Sequence, residues 1–300
     1  MGEASYLSLY RSGRLKERAE AAHALLSPCR LCPRQCAADR LSGSLGFCGL
    51  GRQARVASAA PHFGEERPLV GVHGSGTIFF SGCNLGCLFC QNDELSHARE
   101  GRDTGPEELA RTMLALQDRG CHNLNLVTPT HLVPQILEAL VIASGLGLSL
   151  PLVYNCGGYE RVETLRLLEG VIDIYMPDFK FWDDAWAKRL CGVPDYRERT
   201  SEALREMHRQ VGDLEIDAHG LAVRGLLVRH LVMPGGIAGS ADIFRFLART
   251  LSRDTYVNVM DQYHPCGKAW KEPLLARSLY REEYQSALRE ARDAGLRRLD

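Results

Sequence analysis

The stretch TIFFSGCNLGCLFC, residues 77–90, decides how this chain is read. An apolar run at 77–81 has the length and composition of a buried strand. Just past it come Cys83, Cys87 and Cys90, spaced C-x3-C-x2-C. Three thiolates this close can cap three corners of a cubane iron–sulfur cluster. No fourth cysteine follows at zinc-ribbon spacing, so one iron is left open, as catalytic metal sites keep one position open. Gly86 permits the tight winding between ligands. A zinc site borrowing a distant fourth ligand is the alternative reading of the same cysteines.

Outward from this loop, short apolar runs alternate with helical stretches. Further strands are expected at 123–127, 150–154, 171–175, 226–232 and 255–259. Helices are expected at 105–120, 132–143, 162–169, 182–213, 241–252 and 282–294, the first with a proline near its start and a closing glycine. Strands alternating with helices argue for parallel β/α units. A closed eight-fold barrel needs about 250 residues, more than remain after residue 74. The expected fold is α/β: an open six-stranded parallel β/α partial TIM barrel at 75–300. A cysteine-rich N-terminal metal-binding segment at 1–74 precedes it, and a doubly wound sheet is the runner-up. Chemistry in such folds sits at the C-terminal strand ends. The polar segments after the strands are the first suspects: Cys83-Asn84, Thr128 to His131, Asn155 to Gly158, Asp178 to Lys180, Met233 to Gly235 and Asp261 to His264.

The chain has 300 residues, 24% charged, with a net charge of −1. That balance offers no electrostatic case for nucleic acid or membrane. No signal-peptide pattern or spanning run is visible, so a cytoplasmic location is expected. In a reducing compartment clustered cysteines more often bind metal than form disulfides.

Residues 1–28 read as one helix ending at Ser27-Pro28, and 29–74 as irregular. Within that segment Cys29, Cys32, Cys36 and Cys48 give C-x2-C-x3-C-x11-C. Four thiolates in a glycine-rich stretch suit a structural zinc or a second iron–sulfur cluster, and ligand identity does not choose between them. Either would hold the segment together in place of a core. Residues 61–70 read as a linker over the bottom or edge of the barrel. His62, Glu65 and Glu66 are the residues in it that would reach the site. Cys121, Cys191 and Cys266 read as small buried hydrophobes, and Cys156 is left open.

C-x3-C-x2-C after a first strand, with Phe89 before the last cysteine, resembles the radical S-adenosylmethionine (SAM) superfamily. The resemblance implies a [4Fe–4S] cluster whose open iron chelates SAM. The reduced cluster then cleaves SAM to a 5′-deoxyadenosyl radical that takes hydrogen from a substrate, and Phe89 lies near the adenine. Cys90-Gln91-Asn92, Met176-Pro177-Asp178-Phe179-Lys180, Arg229 to Gly235 and Gln262 to Pro265 further resemble pyruvate-formate-lyase activating enzyme homologues with a cysteine-rich N-terminus. By position Asn92, Asp178, Lys180 and His264 are then SAM-binding. The Asp178 carboxylate would accept from the SAM amino group, and Lys180 would pair with its carboxylate.

Two departures stand out. Where the activases have Gly-Gly-Glu, this chain has Thr128-Pro129-Thr130, whose hydroxyls can replace the carboxylate's hydrogen bonds only weakly. Where they have Asp-Thr-Asn-Gly beside a monovalent cation, it has Asn155-Cys156-Gly157-Gly158. The expected function is SAM cleavage by an oxidoreductase of activating-enzyme type, for glycyl-radical-enzyme activation or a related hydrogen abstraction. The expected partners are SAM, an electron donor such as flavodoxin or ferredoxin, and a protein substrate. The alternatives are a radical SAM enzyme acting on a small molecule or protein side chain, and a non-catalytic iron–sulfur or zinc interaction module on a decayed barrel.

Overall fold

The computed structural model describes residues 3–300. Its strands are β1 (Ala54–His62), β2 (Ser75–Phe80), β3 (Arg102–Thr104), β4 (Leu124–Val127), β5 (Leu152–Cys156), β6 (Ile174–Pro177), β7 (Glu215–Ile216), β8 (Ala222–Leu231), β9 (Tyr256–Met260) and β10 (Arg298–Leu299). The helices are α1 (Tyr6–Arg11), α2 (Arg14–His23), α3 (Arg67–Val70), α4 (Asp93–Ser96), α5 (Pro106–Asp118), α6 (Val133–Gly145), α7 (Val162–Leu167), α8 (Asp184–Cys191), α9 (Tyr196–Val211), α10 (Ser240–Phe246) and α11 (Arg281–Asp293).

All six expected strands are present and pair in parallel, in the order β2-β4-β5-β6-β8-β9. They read as continuous apolar runs because both faces are buried. Alternate residues point to opposite sides. Val153, Ile174, Met176 and Leu227 meet Leu69 in a small inner cluster. Tyr154, Tyr175, Leu226 and Val228 join the large cluster under the helices. The fold is thus α/β with a mostly parallel central sheet.

Three expectations need correction. The helix expected at 1–28 is two helices, α1 and α2, broken at Gly13, whose φ of 77° lies in the left-handed region; residues 1 and 2 lie outside the described residues. The segment at 29–74 is not irregular throughout. β1 runs antiparallel beside β2 and carries the sheet back across residue 74. Finally, the helix expected at 182–213 is α8 and α9, separated at the left-handed Gly192.

The 61–70 segment leaves β1 and crosses the open side of the sheet. Glu66 Oε1 accepts from Asn258 Nδ2 of β9 at 2.9 Å. Glu65 and Glu66 lie 3.7 and 3.8 Å from the Arg229 guanidinium of β8. Polar contacts therefore bridge a seam that no strand pairing closes.

Candidate active site

The Cys83–Cys87–Cys90 loop leaves β2 at the rim. Cys83 Sγ accepts from Leu85 N at 3.3 Å. Cys90 Sγ accepts from Ser96 Oγ at 3.1 Å and from the Asn92 backbone N–H. Cys87 Sγ stands 3.1 Å from the sulfur of buried Cys191. Burial pushes the Cys83 thiol up to about 12, and the Cys90 thiol up as well. Cys87 rises further, first through its hydrogen bond with Cys191 and then through burial. The Lys180 ammonium opposes the rise at all three. Soft thiols facing one another beside a fixed cation, with N–H and O–H donors aimed at sulfur, are a donor set that suits a metal-bound thiolate state. Among the described residues no three His, Cys, Asp or Glu side chains converge as around one ion. A four-iron cube holds its cysteines farther apart than a single ion does.

Asp178 and Lys180 follow β6. They are paired with each other, Nζ to Oδ2 at 2.5 Å, and Arg229 Nε donates to Asp178 Oδ1 at 3.1 Å. Burial works to raise the Asp178 carboxyl. The Lys180 and Arg229 cations outweigh it and hold the carboxyl below its ordinary value. Burial works to lower Lys180, and Asp178 foremost keeps it raised. A chain of charge thus runs from Glu65 and Glu66 through Arg229, Asp178 and Lys180 to the three thiols.

A family model described as the radical SAM superfamily matches residues 77–217. The uncharacterized protein MJ0674 of Methanocaldococcus jannaschii is 33% identical over 281 residues, covering 90% of this chain and 76% of that protein. The chain belongs to the radical SAM superfamily. Among solved structures, SuiB of Streptococcus suis bound to precursor peptide SuiA matches at 13% identity and a TM-score of 0.48, over 73% of this chain and 46% of that one. Methylornithine synthase (PylB) matches at 18% identity and a TM-score of 0.47, over 74% of this chain and 62% of that one. The chain spans about half the length of the SuiB chain. Membership makes the protein a SAM-using enzyme and implies a [4Fe–4S] cluster. No helix among the described residues is long and apolar enough to cross a membrane.

The other residues singled out in this radical SAM chain spread unevenly. Phe89 is buried, edge-on to Phe181 with ring centroids 5.8 Å apart. Thr128, at the end of β4, has φ of 61°, a strained value for a β-branched residue, and its N–H donates to the Asn155 carbonyl. The Thr130 hydroxyl is spent on Glu160, at 2.5 Å. Asn92 and His264 are exposed, and His264 Nδ1 lies 3.1 Å from the Gln262 carbonyl.

The four-cysteine segment lies directly against the three-cysteine loop. Arg34 Nε donates to the Asn84 carbonyl at 2.5 Å. Arg40, 1% exposed, donates to the carbonyls of Gly51 and His131. The backbone N–H groups of Arg34, Ala38 and Leu50 donate to the sulfurs of Cys32, Cys36 and Cys48. Each donor sits two residues beyond its cysteine, as Leu85 does beyond Cys83 and Asn92 beyond Cys90. Burial pushes Cys32 up to about 12 and raises Cys48, while three backbone donors and Cys29 pull the exposed Cys36 down against its own desolvation. A Cβ on Gly82, whose φ is 77°, would stand 2.6 Å from the Cys48 carbonyl. Gly82→Ala is therefore expected to destabilise the protein by roughly 1–3 kcal/mol. A thermal melt within experimental error of the native one would refute that contact.

Sequence reasoning passed over several partners. Glu160 is 1% exposed, accepting from Thr130 and from Tyr154 Oη at 3.1 Å. Arg229 was noticed only as part of a motif. Cys191 is buried as expected, but its approach to Cys87 depends on where α8 ends, which the sequence does not mark.

Proposed function

We propose that Cys83, Cys87 and Cys90 hold a [4Fe–4S] cluster with one iron open to SAM, and that this enzyme abstracts hydrogen from its substrate. The observation carrying this is the trio of thiols, Cys87 buried and Cys83 and Cys90 half-buried, facing the Lys180–Asp178 pair. When bound, the reduced cluster supplies the electron that splits the SAM sulfonium and yields a 5′-deoxyadenosyl radical. Lys180 is the residue placed to bind the SAM carboxylate, since only part of its donor capacity is spent on Asp178. Asp178, already engaged by Lys180 and Arg229, orients that ammonium rather than meeting the SAM amino group itself. Phe89, fixed by Phe181, offers an apolar face for the adenine. Thr128 and Asn155 present the rim where activases carry glycines and acids.

Glycyl-radical-enzyme activation is the leading substrate reading, with a small molecule or a protein side chain as the alternative. A flavodoxin- or ferredoxin-like donor supplies the electron. Cys29, Cys32, Cys36 and Cys48 hold a second metal centre, iron–sulfur or zinc, in a segment at 1–74 that packs on the 75–300 barrel.

Anaerobic reconstitution with iron and sulfide, followed by EPR with and without SAM, tests the reading. A reduced-cluster signal that shifts with SAM, with 5′-deoxyadenosine formed under dithionite, is the expected result. Both should vanish in a Cys83→Ala/Cys87→Ala/Cys90→Ala variant. A native protein giving neither would sink the reading. Radical formation on an added glycyl radical enzyme separates the activase from its alternative.

Two donors would tune the bound cluster. Ser96 Oγ–H points at Cys90; the Cys87 thiol donates to Cys191 Sγ at 3.1 Å, and once Cys87 is a ligating thiolate the Cys191 S–H is the donor left to that pair. Hydrogen bonds to ligand sulfur favour the reduced state. Ser96→Ala and Cys191→Ala are each expected to lower the midpoint potential. One net hydrogen bond of about 1 kcal/mol corresponds to about 40 mV for one electron. An EPR-monitored redox titration showing no downward shift would remove these residues from the site.

A further inference from the structure

The seam of the open sheet holds a cavity of about 230 Å³, bordered by Glu65, Glu66, Arg67, Arg229, Asn258 and Gln262. The Glu65 and Glu66 side chains are only 8% and 3% exposed. Glu66 Oε1 is engaged by Asn258, but its buried Oε2 has no hydrogen-bond partner among the described residues. Deeper in the barrel the fully buried Asn125 turns its side chain toward Glu65. Buried polar groups are nearly always satisfied, so a group left open in a polar cavity marks a place where something binds.

The charges say what kind of group fits. Three carboxylates, of Asp178, Glu65 and Glu66, share two cations, Lys180 and Arg229. Arg229 stands 3.1 Å from Asp178 but 3.7 and 3.8 Å from the glutamates, so its closest engagement is with Asp178. One buried negative charge is left short of a counter-charge, a costly state in a dry interior. Burial pushes the Glu65 carboxyl up, against the opposing pull of Arg229. His62 lies 3.9 Å from Glu65 and is 43% exposed, and Arg67 is exposed at the mouth. The volume is below the ~300–1,000 Å³ of sites that enclose drug-sized ligands. It takes the end of a side chain or a small amine.

We propose that this seam cavity is a substrate subsite for an organic cation, a primary ammonium or guanidinium, held by Glu65 and Glu66 beside the radical site. The proposal rests on the hydrogen-abstraction reading above and names its substrate class. A cation bound there relieves the glutamates' demand on Arg229 and leaves Arg229 to Asp178. Binding in the seam is thereby linked to the Lys180 end of the SAM site.

Calorimetry on the reconstituted full chain, with and without SAM, tests it. The probes are N-acetyl-L-arginine amide and N-acetyl-L-citrulline amide, nearly the same shape but differing by one charge. The arginine probe is expected to bind at least tenfold more tightly. Glu66→Gln is expected to erase that preference, with circular-dichroism melting to show that the variant is folded; Glu65→Gln replaces it if it is not. Equal affinities, no binding of either probe, or an undiminished preference in the folded variant would overturn the proposal. So would displacement of the arginine probe by KCl at constant ionic strength, which would make the seam a metal-cation site. No turnover is involved, so failure here is distinct from a failure to cleave SAM.

Discussion

Arg229→Met is expected to cost about 3–5 kcal/mol of stability, the range for removing one partner of a buried ion pair. Arg229 is 20% exposed by its side chain and faces Asp178, Glu65 and Glu66 together. Methionine fills much of the space but leaves Asp178 to Lys180 and takes from Glu65 and Glu66 the cation they share. The loss should depend on pH with a definite sign. In the native protein the Asp178 carboxyl is held below its ordinary value, so its contribution is complete above the unfolded value near 4 and fades as pH falls further. In the variant, desolvation is less opposed and the carboxyls rise, so the folded state holds protons that the unfolded state has released. The variant's deficit is then largest near pH 8 and shrinks toward pH 5. Urea melts at both values measure it, and a loss under 1 kcal/mol, or one independent of pH, would show that Arg229 is not the keystone of the network.

Glu160→Gln is expected to change the shape of the pH–stability curve. Burial pushes the Glu160 carboxyl up to about 7 from an ordinary 4.5, against the hydrogen bonds from Thr130, Tyr154 and Cys156. Between those values the folded chain keeps a proton that the unfolded chain has lost. Stability therefore falls as pH rises through this window, by up to about 3 kcal/mol at 1.36 kcal/mol per unit. Glutamine keeps the volume and an acceptor but cannot ionise. The variant should gain on the native protein from pH 5 to pH 8, and parallel curves would mean that Glu160 does not titrate in the fold.

The parallel strands were legible because each is an apolar run buried on both faces, and the cysteine loop because its spacing is itself the chemistry. β1 was not legible. Its residues are small, include Pro61, and leave much of the strand half-exposed, so pairing with β2 rather than its own pattern makes it a strand. The break at Gly13 hid inside a run of good helix formers. Glu160 gave no local sign, since its partner Thr130 lies 30 residues away. Arg40 reads as an ordinary surface arginine, yet the carbonyls of Gly51 and His131 bury it. The engagement of Asp178 and Lys180 with each other and with Arg229 is a property of the folded strands that their positions in the sequence do not show.

The placement of β1 has a consequence for handling the protein. By covering β2 it becomes most of one rim of the sheet, because β3 pairs only with Ala54–Val56 and leaves 57–62 of β1 uncovered, while β10 at the other end has two residues. That open stretch of β1 follows a bulge at Val56/Ser58 and carries Pro61, which has no N–H to donate. Rims that are bulged, proline-bearing or very short are poor templates for another chain's backbone. This sheet should resist edge-to-edge polymerisation at the high concentrations that spectroscopy of its metal centre demands.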